Sequence, residues 1–330
     1  MEMKEFSEKV KKALEEYYGG DKQIEIKEIV KINGITRTGI SVTEEGKDMT
    51  PTLYIDSHLK LYNKGVAFGR LIAEMVKVID NDNLGGGFHA ESFIYWEEAK
   101  KRIAYRLINA QKNEKMLKDV PYIRFLDMAV VFYYLLGNEE FGNASILIYN
   151  KHIECWGVSA DDIYEEAKKN TCKMLPAGIE SISQLMKNVL KSNIRKKAEE
   201  CGLCKDEAFI DSIAESMIVQ MTGGRQTSPL FVLTNHINYY GAACMLYDGV
   251  LKEFAQTWGT DLYILPSSVH EIVLIPDMGC EDVGFLKTMV SEVNDTQLAP
   301  DEVLSDTIYH YDRDTEDISI VSIPDVRARA

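Results

Sequence analysis

LYILPSSVHEIVLIPD, residues 262–277, is the stretch on which the reading of this chain turns. Two apolar runs flank a segment carrying Pro266, Ser267, Ser268, His270 and Glu271. Such a set is either a catalytic cluster or the polar turn of a buried hairpin. Leu262, Ile264 and Pro266 alternate with Tyr263 and Leu265; Ile272, Leu274 and Pro276 alternate with Val273 and Ile275. Both faces of each run are therefore apolar, the pattern of central strands covered on two sides. Pro266 presets φ for the turn, and the serines can bond back to the backbone. Adjacent strand residues point to opposite faces, so His270 and Glu271 diverge. A hydroxyl–imidazole–carboxylate relay needs the three groups to converge. Ser268 and His270 can share a face, but the acid would have to come from elsewhere in the chain. No G-x-S-x-G elbow surrounds either serine. The hairpin reading is preferred, and Ser268 and His270 remain the candidate catalytic residues of a hydrolase-like alternative.

Working outward, LFVLTN (230–235) reads as a strand and YGAACMLYDGVLKEFAQTWG (240–259) as a helix with Gly259 as its C-terminal cap. Residues 282–294 read as a helix, and DTIYHYDRDTEDISIV (306–321) as a second hairpin. The expected fold is α+β: mixed, largely antiparallel sheet with helices packed on one face. Further upstream, RIAYRLIN (102–109), RFLDMAVVFYYLL (124–136) and NASILIYN (143–150) read as strands of one sheet. Ser159 is a good N-cap for a helix with Asp161 and Asp162 in its first turn. Ile182, Leu185, Met186, Val189, Leu190 and Ile194 mark an amphipathic helix, followed by another near 206–221. At the N-terminus, Phe6, Val10, Leu14 and Tyr17 predict a helix ended by Gly19-Gly20, and Asn33-Gly34 joins Ile24–Ile32 to Ile35–Val42 as a hairpin. A helix over 71–79 is broken by NDNLGGGF (81–88). TGGRQTSP (222–229) is the best linker. The expected organisation is an N-terminal α+β region (1–120), a central sheet followed by helices (121–222) and a C-terminal α+β domain (223–330).

Charge excludes some partners. Lys and Arg total 37 against 52 Asp and Glu, a net −15. Affinity for a phosphate backbone comes from cations, so neither nucleic acid nor an anionic membrane is an expected partner. The basic run Lys187, Lys191, Arg195, Lys196 and Lys197 falls on the polar side of a predicted helix and reads as a solvated face. The charged, periodic N-terminus lacks a signal-peptide core, and no stretch reaches the ~18 apolar residues of a span. A cytoplasmic location is expected, and six cysteines suit a reducing compartment.

Other motifs are incomplete. Cys201-Gly202-Leu203-Cys204 is the one C-x-x-C and the candidate metal pair, but a zinc site needs four ligands, and the other cysteines are scattered. YDRDTED (311–317) spaces acids like the start of a calcium loop yet lacks its glycine and terminal Glu. The glycine clusters near 85 and 223 fit no nucleotide-binding pattern, so no cofactor is expected. FYY (132–134) and YWEEAK (95–100) are candidate aromatic contact surfaces or ordinary core.

KDVPYIRFLDMAVVFYYLL, EFGNASILIYNKHIECWGVS, YGAACMLYDGVLKEFA, DLYILPSSVHEIVLIPD and EVNDTQLAPDEVLSDTIYHYDR together resemble an uncharacterised family of gut clostridia, domain-of-unknown-function family 5688. The likeness covers nearly the whole chain. It implies a cytosolic bacterial protein and no activity, substrate or catalytic residue. The expected function is a non-catalytic binding or assembly module with a protein partner or self-association. The alternative is the hydrolase-like enzyme using Ser268 and His270.

Overall fold

The computed structural model describes residues 1–44, 52–80, 90–136, 145–200, 206–222 and 229–322. The chain forms two compact units, one of residues 1–104, 110–123 and 131–170, the other of residues 105–109, 124–130 and 171–330.

In the first unit, helix α1 (Met3–Tyr18) is followed by strands β1 (Lys22–Val30), β2 (Thr36–Glu44) and β3 (Thr52–Tyr54), then α2 (Asp56–Asn63) and α3 (Phe68–Ile79). The strands form a sheet in the order β1-β2-β3. Phe6, Val10 and Leu14 recur every fourth residue and are buried with Ile24, Ile40, Ile55, Leu71 and Met75 in one core. Tyr17, expected on that stripe, is 60% exposed. Its neighbour Tyr18, four residues beyond Leu14, packs against the core instead. Gly19 ends the helix at φ 59, its N–H bonded to Glu15 O. Asn33 and Gly34 both take positive φ, as read from sequence, but pairing stops at Val30–Thr36, so residues 31–35 form a longer loop than a two-residue turn.

Short helices α4 (Ala90–Ile94) and α5 (Trp96–Ala99) lead into a second sheet of β4 (Ile103–Asn109), β5 (Tyr122–Phe125), β6 (Met128–Leu135) and β7 (Ser145–Leu147). Its order is β4-β6-β5, with β7 on β6. The stretch 124–136 is not one strand: Leu126 at φ 53 folds it into a hairpin between β5 and β6. Phe132, Tyr133 and Tyr134 are buried, so FYY is core rather than contact surface. Then come α6 (Asn150–Trp156) and α7 (Ala160–Met174). Ser159 caps α7 reciprocally: its Oγ accepts from Asp162 N at 3.1 Å while Asp162 Oδ2 accepts from Ser159 N at 2.9 Å.

The second unit carries β8 (Ala177–Ser181), α8 (Ile182–Glu200), α9 (Glu207–Thr222), β9 (Phe231–Asn235), α10 (Val250–Trp258), β10 (Leu262–Leu265), β11 (Ile272–Pro276), α11 (Val283–Thr296), β12 (Tyr309–Tyr311) and β13 (Ile318–Ile320). Its sheet has the order β13-β12-β10-β11-β9-β8, every pair antiparallel. This sheet is distinct from the β4–β7 sheet. The fold is α+β. The 262–277 stretch is its central hairpin, Leu262 opposite Pro276 and Leu265 opposite Val273. Phe254 and Trp258 of α10 meet Phe231, which shares a face with Leu274 and Ile264. Leu286 and Val290 of α11 pack with Leu265, Ile275, Tyr263 and Val273, which lie on the opposite face. The apolar pattern on both sides of the hairpin is thus met by helices on both.

The helix expected over 240–259 is broken. Residues Gly241–Leu246 form a 3-10 segment, and the α-helix begins only at Val250, after Gly249 at φ 83. Residues 241–245 are all buried, so this segment has no polar side with which to form an amphipathic helix.

Candidate functional site

The polar turn of the central hairpin builds the site. Strand β9 ends at the buried Asn235, whose Oδ1 accepts from Ile237 N and Tyr239 N, both at 3.2 Å, and whose Nδ2 donates to Tyr239 O at 2.8 Å. That knot fixes a tight reversal in which Asn238 and Tyr240 take φ 52 and 54. Left-handed backbone costs a non-glycine residue about 1–2 kcal/mol. The surroundings hold it there: Tyr240 N donates to His270 Nδ1 at 3.2 Å, and Thr234 Oγ1 donates to His270 O at 2.8 Å. Gly241 follows, with a hypothetical Cβ 2.6 Å from His270 O and 2.7 Å from Asn235 N. Only glycine permits this approach.

The aromatic rings converge on the imidazole. Tyr240 stacks on His270 at 5.5 Å and 16°, Tyr239 lies 5.3 Å from it, and the two tyrosines are 4.0 Å apart with a hydroxyl–hydroxyl bond of 3.0 Å. The guanidinium of Arg106, a residue 7% exposed, lies 4.3 Å from the centre of the Tyr240 ring. Glu302 Oε1 stands 3.9 Å from His270 Nε2. Burial pushes the His270 imidazole below its ordinary value, against the opposing pull of Glu302 and Asp301, with Arg106 adding to the fall. Since Nδ1 accepts from a backbone N–H, the neutral ring carries its proton on Nε2. Burial pushes the Glu271 carboxyl up.

Ser268 and His270 are brought together, but through the backbone. The buried Ser268 Oγ accepts from His270 N at 3.0 Å, and Ser268 N donates to Glu271 O at 3.0 Å. Glu302 is the acid nearest the imidazole, and its backbone O accepts from Val269 N at 2.8 Å. What the arrangement offers is an N–H donor, a stacked aromatic surface, a largely buried cation and a half-exposed carboxylate. Sequence reasoning missed Arg106, Tyr239, Tyr240 and Glu302. One signal was present: Arg106 is a lone cation in IAYRLIN, a strand buried along its whole length. The others come from distant segments and carried none.

Cys201 and Cys204 lie outside the described residues, as do 81–88 and most of the 222–229 segment. Among the described residues no group of His, Cys, Asp and Glu is arranged to hold a metal ion. Cys244 is buried, and burial lifts its thiol to about 12. In the 311–317 turn, Asp312 Oδ1 accepts from Asp314 N and Thr315 N at 2.9 and 2.8 Å, a self-bonded reversal. Beside it, His310 Nε2 lies 3.7 Å from Asp261 and 3.6 Å from Asp277. A buried knot ties the 305–309 segment down: Ser305 Oγ and Tyr309 OH both donate to Asp127 at 2.6 Å. In the first unit a cavity of about 230 Å³ is lined by Ser92, Glu98, Lys101, Arg102 and Tyr134.

No described helix is long and apolar enough to cross a membrane. Residues 3–313 match the model of a family described as a family of unknown function, DUF5688. No curated protein and no solved structure matches the chain.

Proposed function

The chain belongs to the DUF5688 family, a family of unknown function, and from that premise we propose that it is a non-catalytic binding module that recognises its ligand at the His270 cluster. The observation that carries this reading is how the polar groups are spent. His270 Nδ1 and Ser268 Oγ each accept a backbone N–H. With Nδ1 taken by a backbone N–H, the neutral ring holds its proton on Nε2 and keeps no lone pair with which to take a proton from a hydroxyl. Held this way, the imidazole presents Nε2–H from a rigid aromatic platform, which suits a planar ligand group that accepts a hydrogen bond.

The test compares native with denaturing mass spectrometry on protein from its own host, purified without chelator. Bound mass that leaves on denaturation and is missing from His270→Ala supports the reading. A bare single chain overturns it. So does turnover of chromogenic ester, amide or phosphoester substrates that Ser268→Ala abolishes, which establishes the hydrolase-like alternative instead.

A further inference from the structure

The cavity of the first unit owes its charge to one short run of sequence. Residues 97–102 read Glu-Glu-Ala-Lys-Lys-Arg. Each lysine takes the acid three residues before it, Lys100–Glu97 at 2.6 Å and Lys101–Glu98 at 2.7 Å. The residue three before Arg102 is Ala99, which is apolar and buried. Among the described residues Arg102 has no carboxylate within ion-pair distance, and its hydrogen bonding there is a 3.4 Å contact from Nη1 to Leu136 O. A guanidinium carries five N–H donors, so most of the donor capacity of this half-buried cation is unspent.

The cavity gathers further groups that suit an anion. Arg102 and Lys101 line it with Glu98, Ser92 and the buried Tyr134, a set of net charge +1 in a chain of net −15. Ser92 Oγ makes no hydrogen bond among the described residues. The backbone of the walls is fixed from behind. Asn170 Nδ2 donates to Lys100 O at 2.5 Å and to Ile103 O at 3.2 Å, on either side of Lys101 and Arg102. Trp156 Nε1 donates to Phe93 O at 3.1 Å, next to Ser92, and the Phe93 ring meets Tyr134 edge-on at 5.3 Å. A wall ordered beforehand lowers the cost of binding. At about 230 Å³ the cavity is smaller than the ~300–1,000 Å³ of sites for drug-sized ligands, so its occupant is small. Lys101 is already bound to Glu98, which leaves Arg102 as the uncompensated charge. A monoanion matches it, whereas a dianion would set surplus negative charge against Glu98. The planar fork of an arginine fits a carboxylate through two parallel bonds.

We propose that this cavity binds a small organic monocarboxylate, held by Arg102 and hydrogen-bonded by Ser92. The proposal does not depend on the His270 reading, because all five lining residues belong to the first unit and His270 to the second.

Saturation-transfer difference NMR of the full chain tests it, with propionate as the probe and chloride and inorganic phosphate as competitors. The expected result is a propionate signal with a Kd of roughly millimolar order. Binding should weaken about tenfold or more in Arg102→Gln and about threefold in Ser92→Ala, with far-UV circular dichroism unchanged. It should be intact in His270→Ala. Glu98→Gln supplies a gain that misfolding cannot mimic: it raises the lining charge from +1 to +2, so phosphate should bind about threefold or more tightly than to the wild type. No propionate signal at ~50 mM overturns the proposal. So does a signal that Arg102→Gln leaves unchanged or that His270→Ala abolishes. Displacement of propionate from the wild type by equimolar chloride or phosphate overturns it equally.

Discussion

At the scale of the residue, Gly241 shows most directly how the site is held. A methyl there would press on two backbone atoms, His270 O and Asn235 N, and on the Thr234 hydroxyl. Backbone on both sides of a packed turn has little room to yield. Gly241→Ala is expected to cost about 2–3 kcal/mol and to loosen the Tyr240–His270 stack, read by urea denaturation and near-UV circular dichroism. His270 makes a pH prediction. Burial lowers its folded pKa below the ordinary 6.5, so the fold favours the neutral ring. Its contribution is intact above that value and is lost as pH falls beneath it. Glu271 acts oppositely, its raised folded pKa returning stability as pH falls toward 4.5. The comparison of variants separates them: His270→Asn, which keeps an acceptor for Tyr240 N, should lose less thermal midpoint between pH 7 and 5.5 than the wild type. Equal losses would show that His270 does not titrate against the fold.

At the scale of the element, local signals held where the interaction was local. The Ser159 cap is a contact of residues three apart, and both halves of it form. Ser159→Ala should cost about 1 kcal/mol, since it removes the Oγ that accepts from Asp162 N while the backbone N–H bond to Asp162 stays; an unchanged denaturation midpoint would contradict this. The 240–259 segment failed as a single helix because its first half is buried on all sides and Gly249 adopts a left-handed conformation. Stretch 124–136 folded back at Leu126, a positive-φ residue that no glycine or proline announced. Three residues of the basic run on α8, Lys187, Lys191 and Arg195, pair with acids on α9, a pairing between helices that composition cannot display.

At the scale of the whole molecule, charge is the governing quantity. A net −15 repels itself in the compact state. Salt screens such repulsion over a Debye length of ~10 Å at 0.1 M. Raising NaCl from 20 to 300 mM is therefore expected to raise the thermal midpoint by a few degrees. A fall would mean that ion pairs such as Lys22–Asp80, at 2.9 Å, outweigh the repulsion.

The sequence by itself determined the α+β class, the central hairpin at 262–277, the strands around it, and the absence of a long apolar helix among the described segments. Those follow from periodicity and turn chemistry, which act over a few residues. Only the tertiary structure decided that FYY is core, that the central and C-terminal sheets are separate, and that His270 meets Tyr239, Tyr240 and Glu302, with Arg106 over the Tyr240 ring. Arg106 and Glu302 lie nearly two hundred residues apart in sequence, and the packing of β4, the 235–241 turn and the 299–303 segment brings the one over the Tyr240 ring and the other to the His270 imidazole. Side-chain convergence of that kind is set by how elements pack, and no local propensity encodes it.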